Sequence, residues 1–386
     1  MTHLPPSPGR RLTGLAVAFA LAIGSIEIAQ ADILIAAVGP MSVTPMTGQY
    51  AMFGEELRRG TELAVRHVNA AGGVGSQNLK LLVVDDACDP ELAVEVANEL
   101  VQQKVGLIVG HVCSGASLAA SRVYHDKGIL MITPASVNTR LTEQGFANVF
   151  RTCGRDDTQA RFAADYVIDN RLAERIAIVQ DGSAFGKGIA DAFRQHLNER
   201  GRWEAMYEAI RQGERDFGAL IDRMLGAGID LVYFGGYHTE AGLFARQARA
   251  EGLTATLMVN SAMVNHEFWD LAGPGGEGTL MTFAPDPRKL PSAAEVVRQF
   301  EAEGYSPEGY TLHAYTAVQV FAEAARRAGS TTLEALEKTL HEGTYETVLG
   351  PIDFDAKGDV RNFRYQMYRW HDGRYEAICC GTKDGG

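Results

Sequence analysis

Short β-branched runs alternate with stretches of helical apolar period along most of the chain. This alternation predicts parallel sheet with helices on both faces. Residues 33–38 (Ile-Leu-Ile-Ala-Ala-Val) read as a strand that ends in a Gly-Pro turn. A helix is predicted over 56–70, where Leu57, Leu63, Ala64, Val65 and Val68 share one stripe. Strands at 79–84, 106–109 and 129–132 continue the series, and Pro90 opens a helix at a position where its missing N–H costs nothing. The rhythm restarts after Phe150 with helix 159–168, strand 175–179, helix 188–198 and strand 203–210. Strand 231–234, helix 241–250 and strand 256–259 complete it. From Pro291 three helical stretches lead to a β-rich end at 351–354 and 364–370. Two βα series of similar length predict two similar lobes rather than one wide sheet, and 386 residues are enough for two cores.

Ligands of open α/β sheets bind at the carboxyl ends of the strands. The candidate site is therefore expected on the loops at 41–54, 111–117, 133–139, 181–186, 235–240 and 260–265. Two lobes facing each other would gather these loops around one cleft.

Charge and termini narrow the function classes. A formal net charge of −12 argues against nucleic acid, whose phosphates such a surface repels. Arg10 and Arg11, the apolar run 12–23 and the small-x-small Ala29-Gln30-Ala31 form a cleavable export signal over 1–31. The run falls short of the roughly 20 residues that a spanning helix needs. The first cysteine is Cys88, so no lipidation cysteine follows the signal, and the mature chain is expected free in an oxidising space, a bacterial periplasm. There Cys88 and Cys113, each following a predicted strand of one lobe, are expected to pair, while Cys153, Cys379 and Cys380 remain unassigned. No CxxC spacing or histidine near a cysteine pair suggests a metal.

Catalytic motifs fail one by one. Gly72-Gly73-Val-Gly75 ends a helix instead of opening one, so it is a helix stop and not a dinucleotide loop. The stretch from Gly182 to Gly188 has one residue too few for a phosphate loop and no hydroxyl after Lys187. Ser114 lacks the Gly-x-Ser-x-Gly setting of a nucleophile elbow. Asp85-Asp86 suits turn and cap chemistry, and His111 and His238 stand alone. No enzyme activity and no cofactor is expected.

Several segments together carry a family resemblance. Asp85-Asp-Ala-Cys-Asp-Pro90, Gly110-His-Val-Cys-Ser114, Gly128-Ile-Leu-Met-Ile-Thr-Pro-Ala135, Arg175-Ile-Ala-Ile-Val179, Gly235-Gly-Tyr-His-Thr-Glu240 and Arg246-Gln-Ala-Arg-Ala-Glu-Gly-Leu253 closely resemble the periplasmic leucine/isoleucine/valine-binding proteins. Gly350-Pro351 and Asp355-Ala-Lys-Gly-Asp359 extend the match over essentially the whole mature chain. The resemblance implies the type I periplasmic binding fold, an α/β fold with two Rossmann-like lobes, three hinge crossovers and a cleft that closes on ligand. It implies lobes at 32–152 with about 284–348, and at 153–283 with about 349–386. It also implies a monomer that delivers its ligand to an inner-membrane ABC permease, and a family disulfide on Cys88 and Cys113.

Residue by residue, the resemblance puts the ligand carboxylate on Ser114 and the ammonium on the carbonyl of Ala135. Aromatic walls fall on Phe53, Phe185, Tyr237 and Tyr310. A threonine that touches both ligand groups becomes Val137, with Ser136 beside it. The acid that neutralises the ammonium becomes Ser261, with Glu267 nearby in sequence. Burying an ammonium without an anionic partner costs several kcal/mol. Two ligand classes therefore stay open: a branched-chain or small aliphatic amino acid, and a ligand without an α-ammonium such as a carboxylate, oxo acid, amide or aromatic acid. A sensor reporting the same ligand to a receptor would share this binding chemistry.

Overall fold

The computed structural model describes residues 1–3, 31–41 and 49–378. Contacts divide the chain into Met1–Ala31 and Asp32–Gly386, and both sheets and the cleft belong to the second unit. The export signal expected over 1–31 thus lies almost wholly outside the described residues. So do Cys379, Cys380 and residues 42–48 of the first predicted loop. Among the described residues no helix is long and apolar enough to cross a membrane.

The first sheet holds β1 (Ile33–Gly39), β2 (Leu79–Asp85), β3 (Leu107–Gly110), β4 (Leu130–Thr133) and β5 (Val149–Arg151), all parallel, in the order β2-β1-β3-β4-β5. The second holds β6 (Ile176–Gln180), β7 (Met206–Ala209), β8 (Leu231–Gly235), β9 (Thr256–Val259) and β10 (Leu280–Phe283), also parallel. A small hairpin of β11 (Thr344–Thr347) and β12 (Gly350–Asp353) follows. The antiparallel strands β13 (Gln366–His371) and β14 (Arg374–Ala377) then complete the second sheet, ordered β14-β13-β10-β9-β8-β6-β7. Every residue of β3, β4, β6 and β8 is buried, as strands covered on both faces must be. The edge strand β2 is mostly half-exposed.

The strand expected at 203–210 shrinks to Met206–Ala209, because the ladder with β6 opens only where Ala205 N–H donates to the Ile176 carbonyl (2.7 Å). Four helices begin earlier than their apolar stripes predict, at Ala51–Ala70, Asp156–Asp169, Ala184–Glu199 and His238–Ala250.

The chain passes between the sheets three times. After β5 it enters the second sheet. After β10 it returns with the helix Thr311–Ala328, which packs along Ala51–Ala70. Gly60 permits that approach, since a Cβ there would sit 2.2 Å from the Thr311 carbonyl oxygen. The β11–β12 hairpin stays beside the first sheet, with the Phe354 ring edge-on to Phe150 of β5 at 5.1 Å. The third passage leads from there into β13.

Candidate cleft between the two sheets

The site grows from strand ends. β3 runs into Cys113, bonded to Cys88 as expected, and Ser114 then opens the helix Ser114–Lys127. The unpaired N–H groups at that helix start, with the Ser114 hydroxyl, favour a negatively charged ligand group. Behind them the His111 carbonyl accepts hydrogen bonds from Thr133 Oγ1 (2.7 Å), Ser136 Oγ (3.0 Å) and Ser117 Oγ (3.2 Å). Thr133 Oγ1 in turn accepts from the N–H groups of Ala135 and Ser136, which fixes the loop after β4. The His111 ring is buried between Asp86 Oδ2 (2.6 Å) and the Tyr124 hydroxyl (3.0 Å). It therefore braces the loop and does not reach the cleft.

A small cavity of about 20 Å³ lies between the sheets, lined by Phe53, Val112, Ser114, Ala135, Phe185, Tyr237, Ala262 and Tyr310. Six of the nine expected site residues thus meet in one place. Ser136, Val137 and Ser261 do not line it. Ser136 is fully buried and spends its hydroxyl on the carbonyls of His111 and Val112 and on Ser117. Val137 is buried and its carbonyl accepts from the Asp156 N–H (2.8 Å). Ser261 bonds Gln159 Oε1 (3.2 Å) and meets Tyr310. Val112 and Ala262 were missed as lining residues, each apolar and one position from a polar residue that drew attention.

Aromatic rings close the cavity from both sides. Phe53 and Tyr310 belong to the first-sheet side, Phe185 and Tyr237 to the second. Tyr237 stacks obliquely on Phe185 (5.0 Å) and stands edge-on to Phe53 (6.3 Å). Tyr50 covers Tyr237 at 4.7 Å. Among the hydrogen bonds that tie the sides together are those from Asn138 Nδ2 to the Ala184 carbonyl (2.7 Å) and from Gln212 Nε2 to the Tyr50 hydroxyl (3.1 Å). The cleft is closed in this structure.

No lining residue carries a charge. Glu267, the nearby acid in sequence, is engaged with His238 Nε2 (2.9 Å) and is absent from the lining. Buried carboxylates stand one layer back. Burial pushes Asp181 up to about 6, against hydrogen bonds from Ser183 and with Glu240 adding to the rise. Burial likewise pushes Glu56, which accepts the Tyr310 N–H (2.9 Å), up to about 8. Burial first, then Tyr50 and Asp181, hold the Tyr237 phenol well above its ordinary value, so it stays neutral.

Known proteins are similar to this chain in sequence and fold. The family model described as periplasmic binding protein matches residues 42–374. A Leu/Ile/Val-binding protein homolog of Brucella melitensis is 42% identical over 370 residues, covering 95% of this chain and 98% of that one. A solved leucine-binding protein of Thermotoga maritima superposes with a TM-score of 0.82 at 26% identity, covering 90% and 97% of the two chains. A branched-chain amino acid transporter substrate-binding protein of Streptococcus pneumoniae, solved with isoleucine, gives 0.81 at 25% identity, with 90% and 99% covered.

Proposed function

The chain belongs to the periplasmic binding protein family, and we propose that it captures a branched-chain or related small aliphatic amino acid by closure of its two lobes. The observation that carries this is the cavity itself, where Ser114 at a helix start faces aromatic and aliphatic walls drawn from both sides. The carboxylate would sit on Ser114 and the N–H groups beside it, the ammonium near the Ala135 carbonyl, and the side chain among Phe53, Phe185, Tyr237 and Tyr310. The protein acts as a binding component without catalysis. It works in the periplasm as a monomer and passes its ligand to an inner-membrane ABC permease.

A specific observation favours a second reading. The lining holds no carboxylate, Ser261 is spent on Gln159, and Glu267 is spent on His238. A ligand without an α-ammonium would meet no unpaired charge there. Calorimetric titration of protein freed of ligand by unfolding and refolding separates the two. Leucine, isoleucine, valine and alanine would be compared with their oxo-acid and amide counterparts and with aromatic carboxylates. Binding of an amino acid at micromolar or lower concentration supports the first reading. Binding confined to the ammonium-free set replaces it with the second, and chemical change in any bound solute overturns the assignment as a binding protein.

A further inference from the structure

A larger cavity, about 220 Å³, lies where the chain passes between the sheets. Thr152 of the first passage, Ala284 and Pro285 of the second and Val360 to Arg364 of the third all border it. It shares none of the eight residues that line the cleft.

The walls are built for an apolar body, from Leu290, Leu349, Ile352, Val360 and Phe363. Beside Thr152, Arg361 and Asn362, two further polar groups break this surface. His313 is 2% exposed, and its Nδ1 donates to the Thr152 carbonyl (2.8 Å). That bond leaves Nε2 as an acceptor, and Nε2 has no partner. Burial lowers the imidazole to about 4, so the ring is neutral and Nε2 is free to accept. A donor on a bound molecule would satisfy this buried acceptor, which has lost its hydrogen bond to water without a replacement. The second group is a guanidinium. Arg361 is occupied by the Phe354 carbonyl (3.0 Å), whereas Arg364 is exposed and has no partner among the described residues.

We infer that this cavity is a second ligand site, distinct from the cleft, for a small apolar anion that carries one hydrogen-bond donor. The donor meets His313 Nε2, the apolar body fills the pocket, and the anionic group pairs with Arg364. A molecule held there touches all three passages on which the lobes turn. The inference does not depend on which ligand the cleft takes.

8-Anilinonaphthalene-1-sulfonate matches this description, with apolar rings, one N–H and one sulfonate. Calorimetric titration of the mature protein with this probe is expected to give saturable binding of one molecule per chain. Leu290→Trp, which fills the pocket, and Arg364→Glu, which reverses the exposed charge, should each weaken it about tenfold or more. Ser114→Ala and Tyr237→Ala in the cleft should bind the probe as the wild type does. Arg364 is exposed, so its variant keeps the test valid if Leu290→Trp folds poorly. Absence of saturable binding overturns the inference. So does loss of binding in the cleft variants, or unchanged binding in Arg364→Glu.

Discussion

Asp359 places Oδ1 2.5 Å from Nε of Arg151, a side chain with no exposure at all, and so joins the third passage between the lobes to the end of β5. The other oxygen holds Arg155 (2.6 Å) and accepts from Thr142 Oγ1 (3.0 Å). One carboxylate thus anchors the first passage to the third. Removing one partner of a buried pair leaves an uncompensated charge, which costs about 3–5 kcal/mol. Asp359→Asn should lower unfolding stability by that order in urea titration. An unchanged midpoint would mean that the carbonyls of Ser136 and Asn138, which already accept from Arg151, suffice to hold the guanidinium.

Glu56 predicts a pH dependence of unusual sign. Its carboxyl titrates near 8 in the fold and near its ordinary 4.5 when unfolded, chiefly because it is buried, with Glu308 and Glu267 adding to the rise. Below pH 4.5 both states hold the proton and the residue contributes no slope. Between 4.5 and 8 the unfolded chain has released the proton while the folded one keeps it, so stability falls as pH rises. Asp181 and Asp156, both raised to about 6, act in the same direction up to that pH. Glu56→Gln keeps an oxygen for the Tyr310 N–H and removes the titration. The variant should match the wild type near pH 4.5 and exceed it at pH 8 by on the order of 2–4 kcal/mol in unfolding titrations. Parallel curves across this range would show that Glu56 ionises at its ordinary pH.

These residues also show where sequence pattern stops being informative. Strands buried on both faces, such as Leu231–Gly235, stand out as apolar runs, and the helix bodies show their stripes. Helix starts do not. The helix expected from 56 begins at Ala51, the one expected from 188 at Ala184, and the one expected from 241 at His238. The extra turns carry Phe53 and Phe185, and Tyr237 is the residue before the third helix. All three face the cleft instead of the core, so they fall outside the core-facing period. The family resemblance located these aromatics where periodicity could not. Neither route located the contact of Asp359 with Arg151, because a pair 208 positions apart leaves no local trace.

The bond between Cys88 and Cys113 closes a separation of 25 residues and sets the residue just before Ser114. In the chain-entropy model a loop of that size stabilises the fold by about 3–4 kcal/mol. The double variant Cys88→Ser, Cys113→Ser should lose stability of that order and weaken ligand binding as well, since Ser114 inherits its position from Cys113. A stability loss with unchanged affinity would assign Ser114's placement to the helix alone.

Gln212 offers a separate reading of closure. It is exposed, it follows β7 of the second sheet, and its Nε2 donates to the hydroxyl of Tyr50, which precedes the first helix of the other side. Neither residue lines the cavity, so removing the amide takes nothing from the ligand. What it removes is one bond made only when the sides are together. A net hydrogen bond is worth about 0.5–1.5 kcal/mol, equivalent to roughly 2- to 12-fold in affinity. Gln212→Ala should therefore raise Kd within that range, mainly through faster release. The ligand-free protein should melt as the wild type does, because exposed substitutions usually shift stability by no more than about 0.5 kcal/mol. Stopped-flow displacement and thermal melting measure the two quantities independently. A fall in melting temperature with unchanged Kd would assign the bond to the fold of one side and remove it from the closing motion.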